Sequence, residues 1–220
     1  MGDMNQFNFI KENVKIIDGP LLEIGSKDYG NTQDLRPLFP HYEYIRVDQT
    51  EGDTVDIVLD LINDFDTIST QLSGRTFNTI ICFSVLEHCS NPFKMSANIS
   101  RLLNKKGLIF ISVPFSWRIH GYPSDYWRFT PEGIKILFPD FDFNIYKGNL
   151  STNVIGEVGE INDYMMRIEL DVKKGLEREL YGYFAAFLIR LQRRLKIIPR
   201  YFSYQYCFPP VMVNMIGVKT

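Results

Sequence analysis

The sequence predicts a doubly wound α/β domain, a mostly parallel sheet of seven strands with helices on both faces. Three observations lead there. Over roughly the first 145 residues, short apolar runs alternate with amphipathic stretches, the rhythm of successive βαβ units. The runs are nearly all apolar rather than strictly alternating, so each strand expects cover on both faces, as in a parallel sheet. Small and acidic residues stand directly after the runs, where open parallel sheets bind their ligands.

Taken in order, residues 20–25 (PLLEIG) read as a buried strand ending in a glycine turn, and 42–48 (YEYIRVD) as a second strand ending in an acid. Residues 56–61 (DIVLDL) are a third, and 77–83 (FNTIICF), rich in β-branched side chains, a fourth. Pro92 near the start of 91–103 and Gly107 beyond its end fit helix entry and exit. Residues 108–113 (LIFISV) form the fifth strand, stopped by Pro114. Residues 141–146 and 211–218 complete the set, separated by an insertion expected to be mostly helical. In it Leu176, Leu180, Phe184, Phe187, Leu188, Leu191 and Leu195 recur at helical spacing. The organisation expected is one domain, with a ligand-binding core at 15–146, the insertion at 147–208 and the final strand at 209–220.

Bulk properties narrow the function classes. A chain of 220 residues suits a single domain with a full core. With 24 basic and 26 acidic residues, the net charge of −2 supplies no basic field for a nucleic-acid partner. The three cysteines, Cys82, Cys89 and Cys207, are too few and too scattered for a disulfide framework or a Cys-based zinc site. We therefore expect reduced thiols in a cytoplasmic protein. The first residues, MGDMNQFNFIKENV, lack the pattern of a secretory signal. No segment reaches the roughly 18 uninterrupted apolar residues of a membrane span.

The first candidate site follows strand one. Gly25 lets the backbone turn sharply and approach a ligand. Asp48, about twenty residues on, can accept hydrogen bonds from both hydroxyls of an adenosine ribose. Asp60 can reach an adenine amino group while Leu61 packs the ring, or it can cap a helix. Glu23 and Asp28 add negative charge that would repel a pyrophosphate but suit an ammonium or a sulfonium.

The consecutive segments LLEIG, YIRVD, DIVLDL, FNTIICFSVLEHCSNP and GLIFISVP resemble the motifs of class I S-adenosylmethionine-dependent methyltransferases, which have a Rossmann-like fold. The resemblance covers residues 15–146, and Val85-Leu86-Glu87-His88 followed by Asn91-Pro92 is its most typical stretch. It implies S-adenosylmethionine as cofactor, with Glu23, Gly25 and Ser26 along its methionine end, Asp48 on the ribose, and Asp60 and Leu61 on the adenine. Phe83 and Ser84 would pass beside the sulfonium, although Phe83 reads equally well as core. One departure stands out: where the family commonly has three closely spaced glycines, Ser26, Lys27 and Asp28 intervene before Gly30. The segment 120–130 (HGYPSDYWRFT) further resembles a subgroup associated with polysaccharide and surface-glycan biosynthesis.

That subgroup implies a small-molecule or carbohydrate-type acceptor, methylated at oxygen. His88, His120 and Asp125 are the candidate catalytic residues, since histidines at the reactive rim titrate near neutrality. Tyr122, Tyr126 and Arg128 are the candidate substrate contacts. For Arg128 the alternative is a structural pairing with a carboxylate, and for His88 with Glu87 it is a helix cap. No HxxxH, CxxC or EF-hand spacing occurs, so no metal is expected. The apolar stripe of 176–200 ends in a basic cluster. It suits packing on its own domain, a lid or homodimer seam, or peripheral contact with a membrane's inner face. Two other functions fit a sheet of this kind: a nicotinamide-dependent oxidoreductase, and a catalytically silent methyltransferase-like partner subunit.

Overall fold

In the computed structural model, residues 4–30, 33–121, 124–152, 155–161, 166–168, 205–208 and 210–220 are described. The chain divides into two compact units, Met1–Asn162 with Pro210–Thr220, and Asp163–Pro209. In the first unit the strands are β1 (Leu21–Ile24), β2 (Tyr44–Asp48), β3 (Ile57–Val58), β4 (Phe77–Phe83), β5 (Leu103–Pro114), β6 (Phe141–Asp142), β7 (Asn149–Ser151) and β8 (Val158–Glu160). In the second unit β9 (Met166–Ile168) and β10 (Gln205–Phe208) form an antiparallel pair. The chain closes the first unit with β11 (Met212–Lys219).

The main sheet runs β3-β2-β1-β4-β5-β11-β7-β8, with β6 also paired to β11. The β3, β2, β1, β4 and β5 pairings are parallel, and β11 lies antiparallel to β5. The order reverses between β1 and β4, which puts the switch point of the sheet where Gly25 and Ser84 emerge. The five predicted parallel strands are all present, and β4 has the predicted ends. The expected seven strands become nine in this sheet, because β7 and β8, in the region expected to be mostly helical, extend its edge. Asn149 and Ser151 flank Leu150 in a polar–apolar alternation too short to register as a strand beside the long helical stripe. That stripe, 176–200, lies outside the described residues.

Burial explains the apolar runs. One face carries Leu21, Ile81, Phe83, Leu108, Phe110 and Ile216, covered by Phe9 and Ile10 of helix α1 (Met4–Asn13) and by Leu35 and Phe39 of the β1–β2 connection. The alternate residues Leu22, Ile80, Cys82, Ile109 and Ile111 are buried as well. Helix α2 (Phe65–Gln71) buries Ile68. Helix α3 (Pro92–Leu102) buries Met95, Ile99 and Leu102, and it packs on β5 and on α4 (Pro131–Leu137). Asn91 caps α3 by accepting from Lys94 N at 3.0 Å, and Thr130 caps α4 through Gly133 N at 3.0 Å.

Helix α1 lay beyond the predicted elements, and its polar residues are part of the core. Gln6 Nε2 donates to Ser112 Oγ at 2.7 Å and Ser84 Oγ at 3.0 Å. Ser112 Oγ donates to Asn214 Oδ1 at 2.6 Å, and Asn214 Nδ2 donates to Asn149 Oδ1 at 2.6 Å. This chain of bonds ties α1 to β5, β11 and β7, and to Ser84 at the switch point. Buried polar groups joined this way fix register as well as satisfying each other.

Candidate active site

A crevice of about 410 Å³ opens over the carboxyl ends of β1, β2 and β4. That volume lies in the range of small-molecule sites, roughly 300–1,000 Å³. Gly25 forms one wall with a φ of +77°, and a Cβ there would stand 2.2 Å from Val85 Cγ2. Only glycine allows both this backbone and this closeness. Ser84 opposite has a φ of 52°, a left-handed conformation uncommon outside glycine, and it is held by the bond from Gln6.

Asp48 lines the crevice where β2 ends. Its Oδ2 accepts from Lys27 N at 3.2 Å, and its Oδ1 accepts from Thr50 N at 3.0 Å and Thr50 Oγ1 at 3.1 Å. The carboxylate is thus oriented by the two loops it separates. Asp60 makes a local turn, its Oδ1 accepting from Ile62 N at 3.0 Å, and Leu59, Leu61 and Ile62 beside it give the crevice an apolar slot. Met95 of α3 lines the slot too. Sequence reasoning passed over Tyr29, Gln49, Ile62, Cys89 and Met95, whose types carry no motif. Among the lining residues there is no Lys or Arg, and the charged ones are Asp48 and Asp60.

Glu23, Ser26 and Phe83 lie behind this wall rather than on it. Glu23 is 2% exposed; Tyr44 Oη donates to its Oε2 at 2.9 Å, while Oε1 has no partner. Burial pushes its carboxyl above the ordinary range. Ser26 is fully buried and its Oγ is also unpartnered. The Phe83 ring packs against Phe9 at a centroid distance of 6.4 Å, and Phe9 in turn meets Phe110 at 5.9 Å, so of its two readings the Phe83 side chain takes the core one.

The other side of the crevice is built from β4's exit and the loop after β5. Glu87 is 1% exposed, and its backbone carbonyl accepts from Tyr126 N at 2.8 Å and Trp127 N at 3.3 Å. Burial raises the Glu87 carboxyl to about 8, and its Oε2 has no partner. Glu87 Oε1 stands 3.9 Å from His88 Nε2. His88 Nδ1 lies 2.5 Å from the Ser124 carbonyl. A carbonyl only accepts, so Nδ1 carries the hydrogen and Nε2 keeps its lone pair. Burial lowers the His88 pKa, favouring this neutral form. His120 packs edge-on to His88 at a centroid distance of 4.9 Å, and both line the crevice with Tyr126.

Asp125 and Arg128 serve the loop. Asp125 accepts from Arg128 Nη1 at 2.5 Å and Nη2 at 2.8 Å, and from His120 N at 2.9 Å, and it stands 3.1 Å from His120 Nδ1. The Arg128 hydrogen bonds hold its carboxyl well below the usual range. Arg128 also donates to the carbonyls of Trp117, Arg118 and Trp127. The pair therefore ties residues 117–120 to 125–128, the structural alternative weighed for Arg128, and neither residue lines the crevice. Tyr122 lies outside the described residues. Glu87, weighed only as a partner of His88, turns out to be the buried centre of this side.

Similarity to known proteins agrees with the geometry. The family model described as a methyltransferase domain matches residues 14–144, more than half of the chain. No curated protein matches the chain by sequence. Among solved structures, a SAM-dependent methyltransferase from Archaeoglobus fulgidus is 15% identical with a TM-score of 0.54, covering 97% of this chain and 92% of its own. The 1,6-didemethyltoxoflavin N1-methyltransferase of Burkholderia thailandensis, solved with its substrate and S-adenosylhomocysteine, is 13% identical with a TM-score of 0.51 and coverages of 98% and 76%. A possible histamine N-methyltransferase from Thermotoga maritima is 11% identical with a TM-score of 0.51 and coverages of 99% and 89%. At these identities the likeness is one of fold, the Rossmann-like α/β sheet already traced. The chain belongs to the methyltransferase-domain family and is an enzyme of that class, with S-adenosylmethionine as its cofactor.

Proposed function

We propose that the crevice binds S-adenosylmethionine and that the enzyme transfers the methyl group to a hydroxyl of a small, carbohydrate-type acceptor arriving at the His88–His120 side. One observation carries the cofactor placement: every charged residue lining the crevice is acidic. An adenosine bearing a sulfonium and an ammonium fits such walls, whereas a dinucleotide pyrophosphate does not. Nor does an α-helix occur among the described residues between β1 and β2 to aim its N-terminus at phosphate. Asp48 takes the ribose hydroxyls, and Asp60 with Leu61 and Ile62 takes the adenine. Gly25 and Ser84 pass along the methionine end. The unpartnered Oε1 of Glu23 and Oγ of Ser26 suit polar groups, or water, brought in beneath that end.

When bound, the cofactor supplies a methyl carbon already activated by positive sulfur. A lone pair of the acceptor oxygen forms the new O–C bond, the C–S pair returns to sulfur, and the hydroxyl proton leaves. The protein's work is alignment, an effect reaching about 7–11 kcal/mol in favourable cases. The lone pair of His88 Nε2 marks the side on which that proton is received. Tyr126, 54% exposed, and the exposed rings of Trp117 and Trp127 suit stacking on a sugar. Nitrogen acceptors, as in two of the neighbours named above, are the second reading; an amine with its own lone pair needs less help at this side.

No helix among the described residues is long and apolar enough to cross a membrane, and the surface contact suggested for 176–200 falls outside those residues. Calorimetry tests the proposal directly. S-adenosylhomocysteine should bind in preference to NAD, and Asp48→Ala should weaken it. Unchanged binding in that variant removes the ribose assignment.

A further inference from the structure

We propose that Glu87, His88 and His120 form a binding site for a divalent transition-metal ion on the acceptor side of the crevice. One donor atom from each residue lies within 4.8 Å of the others. A single ion with nitrogen and oxygen ligands at about 2.0–2.2 Å spans up to roughly 4.4 Å between opposite ligands, so small side-chain adjustments bring all three into one shell. Sequence spacing concealed the set because Glu87 and His88 are adjacent while His120 arrives from the loop after β5.

Independent details point to a cation. Glu87 is almost wholly buried and its Oε2 has no hydrogen-bond partner, an unmet polar atom that a cation bound by the carboxylate would satisfy. Arg128 faces Asp125 rather than Glu87. Both imidazoles are oriented as metal-ligating histidines are, each giving its Nδ1 hydrogen to an oxygen and leaving Nε2 for the ion. For His88 that oxygen is the Ser124 carbonyl, and for His120 it is the Arg118 carbonyl at 3.3 Å, while Asp125 Oδ2 accepts from His120 N at 2.9 Å and stands 3.1 Å from the ring nitrogen. Two imidazoles and one carboxylate favour zinc, iron or cobalt over magnesium or calcium, and such a triad leaves coordination positions open. Asp125 thereby becomes a positioning residue, holding His120 for the ion.

The use of the ion deepens the proposed function and rests on it. A cation here draws electron density from an acceptor hydroxyl entering the crevice, lowers its pKa and orients it toward the methyl group. With the ion bound, the His88 Nε2 lone pair is committed to it, so the hydroxyl proton passes to solvent water in place of that nitrogen, and the oxygen pair goes to the methyl carbon as before.

Full-length protein stripped with EDTA and titrated with Co2+ provides the test, read by visible absorption and calorimetry. The expected result is one Co2+ per chain with d–d bands, displaced by Zn2+. Asp125→Asn should weaken Co2+ binding about 10- to 100-fold, as loss of an orienting partner does, and His120→Ala should weaken it more. His120 sits on the loop, its side chain 25% exposed, so this variant keeps the test open should Glu87→Gln not fold. Failure of the folded wild type to bind Co2+, or equal binding by His120→Ala, overturns the site. Calorimetry with S-adenosylhomocysteine on the same samples separates the two readings. Co2+ binding without nucleoside binding sinks the methyl-transfer placement yet upholds the ion site.

Discussion

The two sides of the crevice are built by different means. On the cofactor side, Gly25, Asp48 and Asp60 sit directly at or just after strand ends, and their bonds are short-range or reach one neighbouring loop. Their polar groups are already anchored by backbone N–H donors, so a ligand adds to a finished frame. On the acceptor side, Glu87 and His88 meet a loop more than thirty residues away, and the Asp125–Arg128 pair holds that loop in shape. Here a buried carboxylate oxygen remains without a partner. Glu23 Oε1 and Ser26 Oγ are left in the same state behind the cofactor side, so the contrast lies in how each side is held: one by local bonds at strand ends, the other by a loop brought from far along the chain.

Substitutions can break or sharpen that contrast. The largest effect is expected at Gly25. Gly25→Ala puts a Cβ into Val85 and a side chain on a left-handed backbone, together costing about 2–5 kcal/mol. Thermal unfolding should fall accordingly and S-adenosylhomocysteine binding should disappear. Adding Val85→Ala should recover the steric part alone, and full recovery would show that the backbone angle does not matter. Next is Asp48→Ala, which removes charge-assisted hydrogen bonds worth about 1.5–3 kcal/mol, or roughly 10- to 150-fold in affinity by calorimetry. Asp48→Asn should fall between the two.

On the acceptor side, Arg128→Ala leaves Asp125, whose side chain is 3% exposed, short of its main partner. A loss of about 1–3 kcal/mol in local stability is expected. Hydrogen exchange should then speed up across 117–128 while Asp48 and Asp60 keep their protection. Spread of the change into the cofactor side would mean that the two halves are not independent. The smallest effect is a paired one. Ser73 and Ser84 have φ values of 54° and 52°, but only Ser84 receives the bond from Gln6. Ser73→Gly should stabilise the protein by about 1 kcal/mol, the strain relieved. Ser84→Gly should gain little, because a hydrogen bond of similar worth is lost. Equal gains at both positions would deny the Gln6 bond any weight.

Much of the cofactor side was legible in the amino-acid order because its chemistry coincides with strand ends. Apolar runs announce the strands, and whatever follows them is carried to the rim of the sheet. Three residues that the resemblance implies along the cofactor lie behind the crevice wall. Glu23 and Ser26 are fully buried behind the wall, and the Phe83 ring turns into the core with Phe9, since alternation along β4 sends it to the covered face. Helix α1 went unread because Asn5 and Gln6 interrupt its apolar face, and their purpose emerges only against Ser112 and Thr152. The stapled loop was half legible: HGYPSDYWRFT carried the right residues, but nothing local tells a carboxylate bound to arginine from one facing a substrate.

What the sequence determined by itself is the doubly wound sheet and the identity of the groups at its carboxyl edge, because hydrophobic periodicity and strand-end position are local properties of the chain. What only the tertiary structure decided is which distant groups meet there. Glu87, His88 and His120 converge, and Asp125 and Arg128 turn to each other, through contacts across more than thirty residues and across three. Such meetings depend on how the loop after β5 folds back onto β4's exit, a matter of packing and hydrogen-bond closure that leaves no periodic trace in the order of residues.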